Sequence, residues 1–338
     1  MTMPDGTNVE MGAKSENVSY GALSNVKAEL DKLNEFYETG ISAKKLKILL
    51  IGNSYCQNTL SCMKQLLSNL HVDGVSIYLF FSGGTTWDWW WDTYKNNGTN
   101  KTLECYSNDT IAEVETLKAS TYTVQDILKA AKWDCVILQE YDKTSGIILD
   151  KTDAKLAHIV SHIRYDVDNA NLRIGVQMQW PRCEGSAQLD TGNSGPTYIE
   201  GFEDVAEVTK GILDSGLVDF VIPQGTAIMN AGLNATLNTR ISTDTNINEN
   251  GNALLQADGN HLAQGIARYI VCCLFYYKVI YPAIGKDFKS STLTLNAANP
   301  DTPGSIALTS QNRDMCHAVV MYAASNPWQI STLDFANI

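Results

Sequence analysis

The sequence is short of positive charge. Of 338 residues, 25 are Lys or Arg and 37 are Asp or Glu, a net charge of -12. That balance repels phosphate backbones and anionic lipid surfaces, so no nucleic-acid partner is expected. Long hydrophobic runs are missing too. No apolar stretch reaches the roughly 18 residues of a bilayer span, and residues 266–280 are interrupted by Arg268 and Lys278. The first 21 residues are polar and carry no apolar core of a secretory signal. The 8 cysteines show no zinc-ribbon spacing, and a chain of this size needs no staples, so buried free thiols are expected. There is no internal repeat and no low-complexity tract. No Gly-rich phosphate loop is followed by Lys, which disfavours a nucleotide-binding protein.

What is present is globular: 44% hydrophobic and 18% charged residues. Residues 1–21 read as a leader, and Leu23, Val26, Leu30, Leu33 and Phe36 mark a helix that stops at Gly40. Five short runs rich in Val, Ile and Leu follow, at 47–51, 75–81, 135–138, 172–177 and 218–222. They alternate with amphipathic segments near 57–70, 124–132, 152–168 and 200–214. The pattern predicts an α/β fold: a three-layer α/β/α sandwich around a five-stranded parallel sheet buried on both faces. Right-handed crossovers restrict it to a few doubly wound orders. A last strong helix is expected from His261 to Tyr281, ending at Pro282. Residues 286–310 read as loop and 313–324 as helix. The domain expectation is a leader and helix over 1–40, the α/β domain over 41–285, and a C-terminal extension over 286–338 packed on that domain.

Ligands of open parallel sheets bind beyond the carboxyl ends of the strands. The first strand leads into Gly52-Asn53-Ser54-Tyr55 and a helix. Ser54 at that helix start suits a nucleophile, a phosphate-binding loop or a plain capping serine. Asp258-Gly-Asn-His261 opens the last helix. That spacing can bring the carboxylate to one imidazole nitrogen and leave the other to accept a serine proton. An N-cap aspartate and a surface histidine are the plainer alternative. Gly83 and Gly84 follow the second strand, where a bare backbone N–H can face an oxyanion, and Gln139 ends the third. His158 and His162, four apart on one helix, have no acidic or cysteine partner at matching spacing, so no metal is expected.

Together, these blocks resemble the SGNH hydrolase superfamily, the GDSL-like lipases and esterases. Gly52-Asn53-Ser54 is similar to its first block, with Asn53 in place of the commoner Asp. Gly83 or Gly84 matches its second block and Asp258-Gly259-Asn260-His261 its last. Gln139 stands where Asn is usual, as in the carbohydrate-esterase branches. The strings Lys132–Gln139, Ile222–Ala227 and Asp258–Leu262 look like one branch of unknown function, abundant in gut bacteria. The resemblance covers about Lys47 to Tyr281. It implies a flavodoxin-like order for the five-stranded sheet and a serine esterase with a Ser54–His261–Asp258 triad. The implied oxyanion hole is the N–H of Ser54, the N–H of Gly83 or Gly84, and the Gln139 side chain. It implies no cofactor and no metal.

Trp87, Trp89, Trp90 and Trp91 follow the glycines, and Trp180 follows the fourth strand. Flat indoles stack on sugar faces, although a role as core anchors is equally open. Asn53, Trp87, Glu140 and Trp180 are the candidate substrate contacts. The loops are rich in Asn, Thr and Gly and offer no broad apolar surface for a long acyl chain. The expectation is therefore a short acyl group, acetyl foremost, on a carbohydrate. A lipase- or thioesterase-like hydrolase on the same scaffold, or a catalytically silent carbohydrate-binding protein, are the alternatives. A polysaccharide substrate would place the protein outside the cytoplasm, secreted or periplasmic with its leader removed; a cytoplasmic location stays open.

Overall fold

A computed structural model describes residues 45–99, 102–139, 154–181, 198–234, 236–238, 254, 260–296 and 306–331. The helix expected over 22–37 lies outside them. The strands are β1 (Leu46–Gly52), β2 (Val75–Phe81), β3 (Thr102–Cys105), β4 (Cys135–Leu138), β5 (Arg173–Gln177) and β6 (Phe220–Ile222). They form one sheet in the order β3-β2-β1-β4-β5-β6. Five strands are parallel and stand in the expected doubly wound order. The sixth, β3, is an addition to the expected sheet: it runs antiparallel along the edge of β2. Its four residues bury only Leu103 fully, so it carries none of the apolar density that marks the other strands.

Side chains alternate between the two faces of the sheet, as a pleated strand requires. Ile48, Leu50, Ile77, Leu79 and Ile137 enter one core. Leu49, Ile51, Tyr78, Phe80, Val136 and Leu138 enter the other. The first core is covered by α1 (Ser54–Leu60), α2 (Met63–Asn69), most of α7 (Tyr198–Asp214), α8 (Gln224–Gly232), α9 (Ile266–Phe275) and α10 (Ser310–Ser325). The second is covered by α3 (Trp87–Lys95), α4 (Ala112–Leu117), α5 (Val124–Ala130) and α6 (Ala154–Asp166). The result is the three-layer sandwich that the sequence pattern implies. Leu46–Ile338 is a compact unit of its own, and it includes the segment after residue 285.

Both boundaries of the helix expected over 261–281 differ from expectation. It begins at Ile266, not His261. Gly265 precedes it at φ +84, and a Cβ there would lie 2.0 Å from the Ile306 carbonyl. That close approach and left-handed backbone break the chain before helical φ/ψ can start. At the other end the helix does not stop at Pro282. It widens into a π-turn at Tyr276–Ile280 and continues as Tyr281–Ile284. Pro282 sits in the first turn of that last piece, where its missing N–H costs little. Gly285, left-handed at φ 74, ends it. By length and composition Ile266–Ile284 could cross a membrane, yet 67% of its most apolar stretch is buried. It is the central helix of the first core.

Candidate active site

Helix α1 begins where β1 ends. Asn53, not Ser54, caps it: the Asn53 Oδ1 accepts the Tyr55 N–H at 3.0 Å. Ser54 is thereby released from the capping role and stands half-buried at the first helical position. Gly52 makes the tight turn possible. A Cβ on it would meet the Cys56 Sγ at 2.5 Å and the Gln139 Cβ at 3.1 Å, so only glycine lets the three segments close on each other.

His261 comes from the loop before α9, 207 residues from the serine in sequence. Its Nε2 lies 2.8 Å from the Ser54 Oγ. That is hydrogen-bond reach, the relation of a general base to a nucleophile. Both residues are half-buried. Asp258, the expected third member, and Glu140, an expected substrate contact, lie outside the described residues.

Gly83 and Gly84 are exposed in the turn after β2. The Ser82 N–H bonds to the Gly52 carbonyl at 3.0 Å, which holds this turn beside the nucleophile turn. Neither glycine N–H is taken by a backbone bond among the described residues. Gln139 is fully buried at the end of β4. Its Oε1 accepts the Asn53 N–H at 3.3 Å and faces the Cys56 thiol at 3.9 Å. The oxygen therefore braces the nucleophile turn.

Three expected substrate contacts are placed differently. Asn53 is fully buried, beneath the nucleophile rather than in front of it. Trp87 is 2% exposed and belongs to the second core. Trp180 is 1% exposed; it packs edge-on against Tyr55, with centroids 4.5 Å apart, and donates its Nε1–H to the Asn260 carbonyl at 2.7 Å. Neither indole presents a face on which a sugar can stack. The physical reason for Trp87 is its period: 87–91 is helical, so Trp87 and Trp90 turn inward together while Trp89 and Trp91 stay half-buried. His158 and His162 stack on Trp91, at 5.0 and 5.6 Å between centroids. Among the described residues no cluster of three or more His, Cys, Asp or Glu side chains could hold a metal.

Sequence reasoning passed over a set of buried amides behind the serine. Gln177 ends β5 and faces the Cys56 thiol at 3.8 Å; Gln224 follows β6 and accepts from Thr59 Oγ1 at 3.0 Å. The available signal was polar residues at strand ends and at inward positions of a short helix. Burial pushes the Cys56 thiol well above its ordinary range, so this cysteine, two residues from Ser54, is no competing nucleophile.

The sequence matches a domain of unknown function, DUF4886, over residues 47–302. The chain belongs to the DUF4886 family. A DUF4886 protein from Bacteroides uniformis has a similar structure, with 19% identity, a TM-score of 0.63, and 85% of this chain and 98% of that chain covered. Weaker likeness extends to a candidate SGNH hydrolase from Slackia heliotrinireducens, at 16% identity and TM-score 0.42 over 69% of this chain and 97% of that one. A candidate acylhydrolase from Bacteroides fragilis stands at 12% and 0.37 over 75% and 96%. No curated protein matches the sequence. At 19% identity the Bacteroides uniformis structure speaks for the fold of this DUF4886 protein alone; the chemistry rests on the Ser54–His261 pair.

Proposed function

We propose that this DUF4886 protein is a serine esterase that removes short acyl groups, acetyl foremost, from a carbohydrate. The observation that carries the proposal is the 2.8 Å contact between the Ser54 Oγ and the His261 Nε2 at the carboxyl edge of a parallel sheet. In this reading Ser54 attacks the ester carbonyl while His261 takes its proton. The tetrahedral oxyanion is held by the Ser54 N–H, by the N–H of Gly83 or Gly84, and by the Gln139 Nε2. His261 returns the proton to the leaving alcohol, and water then cleaves the acyl-enzyme by the same route. The same reading assigns Asp258 to the other imidazole nitrogen, where a carboxylate stabilises the imidazolium.

The sugar part of the proposal rests on loops rich in Asn, Thr and Gly and on the scarcity of exposed large apolar side chains among the described residues, Tyr165 and Ile199; the buried Trp87 and Trp180 lend it no support. An extracellular or periplasmic location follows from such a substrate. The test is acetate release from acetylated glycans and from p-nitrophenyl acetate, with Ser54→Ala alongside the wild type. Loss of turnover by at least about a thousandfold in the variant is expected, since a triad without its nucleophile retains little beyond binding. Release that persists in Ser54→Ala would overturn the serine mechanism. A p-nitrophenyl ester series that peaks at long chains would overturn the short-acyl reading and favour a lipase-like enzyme.

A further inference from the structure

The residues on either side of His261 are fastened to the helix that carries Ser54. The Tyr55 hydroxyl donates to the Asn260 Oδ1. The Leu262 N–H donates to the Asn58 Oδ1 at 2.6 Å. Behind them, the Trp180 Nε1–H donates to the Asn260 carbonyl at 2.7 Å, and the Arg268 Nε donates to the Leu262 carbonyl at 3.0 Å. Tyr55 is the next residue after Ser54, and Asn58 lies one turn further along α1. Tyr55, Asn58, Asn260 and Trp180 are all buried.

Resting on the esterase reading, we propose that Tyr55 and Asn58 are positioning residues that lock the His261 loop to the nucleophile helix, with Trp180 as the backstop. The physical need is plain. His261 sits in a bend before α9, outside the named strands and helices, while proton transfer tolerates only about 0.5 Å of error. Two side chains of α1, gripping the chain on both sides of the histidine, make the serine and its base one rigid unit. Their hydrogen bonds are buried, so water does not compete for them, and losing one strands a polar partner in the core. The Tyr55 ring also stacks alongside the His261 ring, with centroids 6.3 Å apart. The hydroxyl is thus separable from the ring: Tyr55→Phe keeps the packing and removes only the bond.

The experiment is a double-mutant cycle of Tyr55→Phe and Asn260→Ala on p-nitrophenyl acetate hydrolysis, with Ser54→Ala as the reference and thermal unfolding of each variant. The expected result is a kcat lowered about 10- to 100-fold in each single variant, the scale of a misplaced catalytic group. KM should be unchanged, and the double variant should be no slower than the slower single one, because both remove the same bond. A merely structural role would lower the unfolding temperature and leave kcat of the folded fraction intact. Wild-type kcat in folded Tyr55→Phe would overturn the clamp. Activity surviving in Ser54→Ala would instead overturn the esterase reading beneath it. If Asn260→Ala does not fold, Tyr55→Phe alone decides through the rate at which a fluorophosphonate labels Ser54: slower labelling supports the clamp, and the wild-type rate overturns it.

Discussion

At the scale of single residues, Gly52 is the most constrained position of the site. Its neighbours leave 2.5 Å to the Cys56 Sγ, less than any real Cβ contact allows. Gly52→Ala is expected to cost about 1–3 kcal/mol, the usual cost of forcing atoms into a packed site. It should also lower turnover by displacing Ser54. Urea unfolding beside p-nitrophenyl acetate hydrolysis checks both; an unchanged midpoint would show that α1 can shift freely. The string Gly-Asn-Ser was legible as a functional turn. The roles within it were not. Its place in the motif puts Asn53 against substrate, but its side chain caps α1 and is buried beneath the turn. Sequence order tells which residues are neighbours on the chain, and a cap reverses which of them faces out.

At the scale of elements, α10 shows how a helix docks through one histidine. His317 is buried, and its Nε2 lies 2.8 Å from the Tyr269 hydroxyl on α9. The Phe288 ring meets it edge-on at 5.1 Å. Burial pulls its pKa down to about 4, while Asp314 and Asp287 oppose and Arg313 and Lys289 reinforce the shift. Between pH 6.5 and 4 the unfolded chain therefore binds a proton that the folded chain refuses. This contribution to stability is complete above about pH 6.5 and is lost as pH falls toward 4. Wild-type protein should weaken by about 1–3 kcal/mol across that window, and His317→Gln should flatten the loss. Chemical denaturation at stepped pH would show it; equal slopes in both proteins would place the acid sensitivity elsewhere.

The same scale explains what sequence patterns found and missed among the elements. The five parallel strands carry dense Val, Ile and Leu because both faces are buried, and all five were legible. The edge strand β3 was not. Its Glu104 is half-buried and ties α1 from the side: the Gln57 Nε2 donates to it at 3.0 and 3.1 Å, and the Tyr106 hydroxyl at 2.6 Å. An edge strand that uses polar side chains as tethers has no apolar signature to read.

At the scale of the whole molecule, described residues after 285 belong to the core. Met315, Cys316, Val319, Val320 and Ala323 of α10 are buried in the first core. Thr226 and Asn230 of α8 bind the chain at Pro327, Gln329 and Ser331. Without this cover, one flank of α9 would face water, and that helix is as apolar as a membrane span. A chain truncated at residue 285 is expected to be insoluble or to lack cooperative unfolding. Circular dichroism melting of any soluble fraction is the check, and a cooperative melt near the wild-type temperature would show that the cover is dispensable.

Local pattern by itself determined the layers. Periods of two and of 3.6 and the density of Val, Ile and Leu are properties of neighbouring residues, and they place five parallel strands and most of the helices that cover them, though not α3, α4 or α8, without reference to distant chain. The order of Ser54, the Gly83–Gly84 turn, Gln139 and His261 along strand ends was also visible, because strand ends converge on one edge of the sheet. Only the tertiary structure decided that His261 reaches Ser54 across 207 positions, that Trp87 and Trp180 point into cores, and that Tyr55 and Asn58 grip the histidine loop. These are contacts between segments remote in sequence. Their geometry depends on packing and on where each backbone turn aims its side chain, and no local period encodes either.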